Sequence, residues 1–256
     1  MHQISRLELP AISEFNPATR RCLDRMELSW GNLYNSTSSK LDPDALCQIY
    51  WEDQSRDLRH PLSELWSSLQ TKNSIRSDRS SEDEIRLSRI ASSLFAGLKV
   101  DNHILFTDWL CMINSHALNR DKGFIRVTES ATTADINGAR NFFCEANNLG
   151  CELQRLHDFL ASQKDHPALC AVTALCSLLT LHPFVDGNGR VARAAFNAIS
   201  ASMSQRELFL PLHLIFNASQ GGFEIRLKEV QTNKNWSLVY LYFGSIFDLC
   251  LHARDA

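Results

Sequence analysis

Residues Ala168 to Leu181 form an almost uninterrupted apolar run, ALCAVTALCSLLTL, and the polar stretch HPFVDGNGRVAR follows it without a spacer. A helix that is apolar on every side belongs in the middle of a bundle, because it has no face to give to water. This run is too short to span a bilayer. His182 therefore stands at the C-terminal end of a buried rod, where Pro183 discourages further helix. Phe184 is expected to anchor the turn in the core. At the other end, Asp165-His166-Pro167 makes Asp165 the expected N-cap, with proline in the first turn.

The rest of the chain is patterned mostly for helix. Pro10 to Trp30 and Pro43 to Leu69 read as amphipathic helical stretches, broken around Gly31-Asn32 and Asn35 to Lys40. The polar segment from Gln70 to Glu84 reads as a linker or loop. Apolar positions at Ile85, Leu87, Ile90, Leu94 and Leu98 keep a helix period, and a further helix follows with Asp101 or Asn102 as cap. Helices are also expected over Leu153–Ser162, Arg190–Met203, Phe223–Gln231 and Asn235 to His252. The exception is KGFIRVTESATTADINGA, where a β-prone run, Phe124 to Thr128, and a turn at Asn137-Gly138 suggest a small β-hairpin or flap. The expected fold class is all-α, a mainly helical bundle with a small β-hairpin flap before the motif helices. Residues 1–80 are read as an N-terminal helical extension and 81–256 as the domain that carries the motif.

A net charge of −3 provides no global field to recruit nucleic acid or an anionic membrane, so neither is expected as a partner. The eight cysteines are dispersed, without a C-x-x-C pair, and several sit inside apolar runs; reduced core thiols in a cytoplasmic protein are the expectation. The first residues show no charged-then-apolar secretion signal. Delivery as an effector by a specialised secretion route would leave no mark of that kind.

The polar stretch itself has a consistent chemistry. Gly187 and Gly189 permit positive φ and close backbone approach. With Asn188 they lead into a new helix whose first N–H groups have no intrahelical acceptor, which makes an anion site suited to phosphate. Arg190, Arg193 and Asn197 share one face of that helix, opposite Val191, Ala195 and Ala198. The two arginines can pair with further phosphate oxygens. Asp186 is placed to hold a Mg²⁺ bridging those phosphates. His182, with an ordinary pKa of about 6.5, suits removal of a proton from an attacking hydroxyl. These parts describe a nucleotide held by its phosphates beside a base.

HPFVDGNGRVAR resembles the signature of the Fic family, HPFx[DE]GN[GK]RxxR, at every specified position from His182 to Arg193. KGFIR, Lys122 to Arg126, is similar to the glycine-to-arginine element before that family's flap. Phe142 to Glu145 falls where the flap would end, and NWSLVYLYFGSIF resembles the family's closing helix. The resemblance implies a Fic-like catalytic domain in which His182 is the general base for a Ser, Thr or Tyr hydroxyl. It further implies Asp186 as the Mg²⁺ ligand and Gly187, Asn188, Gly189 and Arg190 as the anion hole, with Arg193 holding the outer phosphates. Gly123 and Arg126 would serve the flap and position the target. The implied activity is protein adenylylation (AMPylation), with ATP as co-substrate and a protein with an accessible hydroxyl as partner. Because an anion hole reads phosphates and not the base, transfer of UMP, phosphocholine or phosphate is an alternative, as is a non-catalytic interaction module on the same fold.

The other histidines (His60, His103, His116, His157, His166, His213 and His252) have no partner pattern and read as uninvolved. Trp109, Trp236 and the Tyr240 to Phe243 cluster read as core. Many Fic proteins carry an inhibitory helix with [ST]xxxE[GN], whose glutamate pairs with the last motif arginine. Ser80 to Glu84 has that spacing, but Ile85 stands where Gly or Asn is expected, and Glu82 to Arg86 reads as a solvated helix start. The expectation is restraint by a separate inhibitory (antitoxin-like) protein, or none within this chain.

Overall fold

The computed structural model describes residues 2–3, 7–35, 83–95, 103–132, 141–219 and 221–255. The expected Pro43–Leu69 helix, the Asp101 or Asn102 cap, the Asn137-Gly138 turn and nearly all of the polar segment from Gln70 lie outside these residues.

The apolar run forms helix α5 (Pro167–Leu181), buried along almost its whole length as its composition demands. Helix α6 (Asn188–Ser204) packs closely on it, with Val191, Ala195 and Ala198 turned into the core as their spacing predicts. Around this pair stand α1 (Pro17–Asn35), α2 (83–95), α3 (His103–Leu118), α4 (Leu149–Ser162), α7 (Leu212–Ala218), α8 (Gly222–Asn233) and α9 (Ser237–Asp255). α1 lies along α9, α3 contacts α6, and α4 packs against both α3 and α5. One apolar core runs through the helices, from Leu23, Met26 and Leu33 of α1 to Phe243 and Phe247 of α9.

Two departures concern α1. It continues through Gly31-Asn32, where a break was expected, because Leu33 and Tyr34 beyond the glycine are buried. Burying two large side chains outweighs the roughly 1 kcal/mol that a glycine costs a helix. Glu27 of α1 also does the work expected of Asp165. The residue before α5 is His166, whose side chain makes no capping bond. Instead the Ala168 and Leu169 N–H groups donate to the Glu27 carboxylate at 3.3 and 2.8 Å. A carboxylate at a helix N-terminus satisfies free donors and complements the dipole. Residues 7–35, read in advance as part of an extension, thus share the core and hold one end of the motif helix.

No β-hairpin occurs among the described residues. Phe124 to Thr128 has no regular secondary structure. The strand residues are His2–Gln3 (β1) and Asn141–Phe142 (β2), paired in parallel with His2 opposite Asn141. The β-prone run is held against the end of α5 instead, where the Arg126 N–H donates to the Pro183 carbonyl at 2.9 Å. Among the described residues no helix is long and apolar enough to cross a membrane.

Candidate active site

α5 ends on His182 in the left-handed region (φ 53°, ψ 57°), its N–H donating to the Leu178 carbonyl at 3.0 Å. Glycine usually takes this capping position, since a side chain is disfavoured there. The chain then turns, with Phe184 buried beneath it. Asn188 closes the turn: its Oδ1 accepts from the Phe184 N–H at 2.9 Å, and its Nδ2 donates to the Phe184 carbonyl at 2.7 Å. From α3, the buried Asn114 donates through Nδ2 to the Asp186 carbonyl at 2.8 Å. Gly187 (φ 84°) packs beneath that amide, and a Cβ there would lie only 2.9 Å from its nitrogen. The Asn188 side chain is therefore a clamp on the loop. What remains for an anion are the backbone N–H groups of residues 188–190, since the first intrahelical bond runs from the Val191 N–H to the Gly187 carbonyl at 2.9 Å. Asn114 was not singled out from the sequence, although a polar amide inside the apolar WLCMINSHAL was a usable signal.

The His182 imidazole is half-buried and stacks on Phe143, with ring centroids 3.9 Å apart and planes 10° from parallel. Its Nδ1 is buried, with no hydrogen-bond partner among the described residues. Burial pulls the pKa below the ordinary 6.5, the nearby Arg126 charge adds to that, and the Leu179 carbonyl opposes it in part without reaching a hydrogen bond to Nδ1. The neutral ring, the form able to accept a proton, is favoured near neutral pH. Phe143 lies in the stretch read as the end of the flap, but its stacking on His182 was not expected from the sequence.

The charged residues divide differently from their spacing. Asp186 is exposed; its Oδ1 accepts from the Gly187 N–H at 2.6 Å and lies 3.6 Å from Arg190 Nη2. Arg190 also donates from Nη1 to the Ala117 carbonyl at 2.5 Å. Arg193 donates from Nε to Glu84 Oε1 at 2.8 Å, and Glu84 Oε2 accepts from the His213 N–H at 3.1 Å. Glu84 thus sits on the last motif arginine, where the sequence, with Ile85 behind it, read only a solvated helix start. The contact comes from the packing of the first turn of α2 and does not need a glycine after the glutamate. Glu84 is buried, and desolvation outweighs the attraction of Arg193, so its pKa is raised. Asn197 shares the arginine face but reaches no open space: it bonds Ser88 Oγ and both backbone groups of Leu210. Gly123 packs on α3, where a Cβ would overlap the Cys111 carbonyl. Arg126, read with Gly123 as serving the flap and positioning the target, is only 3% exposed and donates to backbone carbonyls.

A cavity of about 590 Å³ lies against α6, walled by Glu84, Leu87, His116, Arg190, Arg193 and His213 among others. Its volume is in the range of small-ligand sites, and the arginines suit it to an anion. His182 and Asp186 are not among its walls. The arginine-walled cavity and the His182 ring are therefore separate features, and the 183–187 loop joins the helices that carry them. His116 and His213 had been read as uninvolved, and only the tertiary fold brings them to the arginines. Burial and the Arg193 charge lower the His213 pKa.

Residues 104–200 match the family model described as Fic/DOC family. Among solved structures, the chain is similar to a Fic family protein from Desulfovibrio desulfuricans G20. The TM-score is 0.59 and the identity 14%, over 93% of this chain and 74% of that one, a likeness of fold. No curated protein matches the sequence.

Proposed function

Since this chain is a Fic domain protein, of a family whose members are typically transferases, we propose that it is a protein adenylyltransferase, moving AMP from ATP to a Ser, Thr or Tyr hydroxyl of another protein. The observation that supports this most is a neutral-favouring imidazole at the end of α5, one loop away from a helix N-terminus flanked by Arg190 and Arg193. The hydroxyl oxygen attacks the α-phosphorus in line while its proton passes to His182. The bond from that phosphorus to the bridging β-oxygen breaks, pyrophosphate leaves, and AMP stays on the target as a phosphodiester. The N–H groups of residues 188–190 receive charge developing on the α-phosphate, and Arg190 and Arg193 hold the outer phosphates. Catalysis of this kind is mostly positioning and charge neutralisation.

A single exposed carboxylate, Asp186, fits Mg²⁺, which is commonly held by one or two carboxylates together with substrate phosphates. When bound, the metal neutralises charge on the departing pyrophosphate. Incubation with α-labelled ATP, Mg²⁺ and a lysate should label a target or the protein itself, and His182→Ala should abolish the label. Undiminished labelling by that variant removes His182 from the role. Intact-mass analysis with a panel of nucleoside triphosphates reads which group is transferred.

A further inference from the structure

The imidazole of His182 hangs from a backbone conformation that a histidine does not favour, and one side chain holds most of that backbone. Arg126 is buried, and no carboxylate among the described residues forms an ion pair with it. Its donors go to four carbonyls. Nε donates to His182 at 2.7 Å, Nη2 to Leu181 at 3.2 Å and, by a short bond, to Cys144, and Nη1 to Thr128 at 2.8 Å. Leu181 and His182 end α5, so the guanidinium satisfies carbonyls left over by the helix and lies at the negative end of its dipole. The Arg126 N–H takes the next carbonyl, Pro183, at 2.9 Å.

The same guanidinium therefore grips both partners of the ring stack. Through residues 181 and 182 it holds the backbone of His182. Through Cys144 it holds the neighbour of Phe143, whose own N–H donates to the Ser130 carbonyl at 3.0 Å. A planar fork can reach carbonyls on two sides of itself, whereas an ammonium on a flexible stem cannot reproduce that spread. Glu129 lies near enough to support the buried charge.

We propose that Arg126 is a positioning residue that fixes His182 in its left-handed turn and against Phe143, and so sets how well this histidine takes a proton. The proposal rests on the reading of His182 as the base. Arg126 then acts on the chemical step and not on nucleotide binding, because the phosphate-holding groups lie on α6, beyond the 183–187 loop.

The test compares wild type with Arg126→Lys, Arg126→Gln and Phe143→Leu. It reads the His182 titration by NMR on histidine-labelled protein, Mg-ATP affinity by calorimetry, and the kinetics of adenylyl transfer. Both Arg126 variants should bind Mg-ATP as wild type does and lose about 10- to 100-fold in kcat, the scale of a misplaced reacting group. Their His182 midpoint should rise toward the ordinary value, since a buried cation has been removed or displaced, and the acid limb of the rate profile should rise with it. Phe143→Leu leaves every carbonyl partner of Arg126 in place and should produce part of the same rise, which keeps the proposal testable should the Arg126 variants fail to fold. Unchanged His182 titration in the folded Arg126 variants, or in Phe143→Leu when those do not fold, overturns it. So does an equal fall in ATP affinity and kcat, which marks a general structural role. The NMR titration needs no turnover, so it stands even where His182→Ala shows that the base was misassigned.

Discussion

Glu84→Ala should make the protein bind Mg-ATP more tightly. The Nε–H that Arg193 gives to Glu84 at 2.8 Å cannot at the same time serve a phosphate oxygen, so a triphosphate must displace the carboxylate or bind without that donor. A charge-assisted hydrogen bond of this kind contributes about 1.5–3 kcal/mol net. At 1.4 kcal/mol per factor of ten, removing the competitor should lower Kd by roughly 10- to 150-fold. The loss of stability should be smaller than the usual 3–5 kcal/mol for breaking a buried pair, about 1–2 kcal/mol, because Arg193 faces a cavity that water can enter. Acidification offers a second reading of the same contact. The Glu84 pKa is raised, so it neutralises at a higher pH than an ordinary glutamate, and the wild-type clamp should weaken as pH falls toward 4.5 from above. The difference in affinity between wild type and Glu84→Ala should therefore shrink over that range. Calorimetric titration of both proteins, with Arg193→Ala as control, is the assay. If Glu84→Ala binds within twofold of wild type while Arg193→Ala binds much more weakly, the carboxylate is not competing and the reasoning fails.

The remaining predictions follow from single contacts. The rate of adenylyl transfer should fall on acidification with a midpoint below 6.5, because burial lowers the His182 pKa and its neutral form is the active one; a midpoint above 6.5 assigns the limb to another group. Gly123→Ala should destabilise the fold by about 1–3 kcal/mol in urea unfolding, since the new methyl would overlap a helix carbonyl that cannot move freely. Glu27→Ala should cost about 0.5–2 kcal/mol by removing the cap from α5, and Asp165→Ala should cost almost nothing by the same measurement.

Periodicity placed most of the helices because it reports which faces are buried, and α5, apolar all round, left no choice. It failed where one element borrowed from another. The cap of α5 comes from Glu27, far away in the chain, so the nearby Asp165 was a reasonable but wrong candidate. The β-prone letters of Phe124 to Thr128 suggest a strand, but Phe124, Val127 and Thr128 are exposed, and the buried Arg126 makes the segment a brace instead. Within the candidate site, His182, Asp186 and the arginines could be singled out in the sequence because their spacing lies within one turn and one helix. Glu84, Asn114, Phe143 and His213 come from four other places in the chain, and their meaning arises only once α2, α3 and α7 pack around α6.

The density of polar residues behind a buried apolar helix now has a physical account. Group transfer by positioning needs a base and an anion cradle whose separation does not drift, and a loop of a few residues is soft unless its own backbone groups are tied down. Here the tying is done by side chains whose bonds go to backbone groups. Asn188 bonds both backbone groups of Phe184, Asn114 holds the Asp186 carbonyl, and Arg126 holds the carbonyls of residues 181 and 182. α5 supplies a rigid post because it is buried on all sides, and the core beneath Phe184 supplies a floor. Of the motif's own polar side chains, Asn188 is therefore scaffold for the others, with Asn114 and Arg126 bracing from outside it. Asn188 is placed by its sequence position among the proposed anion ligands, yet its side chain is spent on tying the turn that joins α5 to α6.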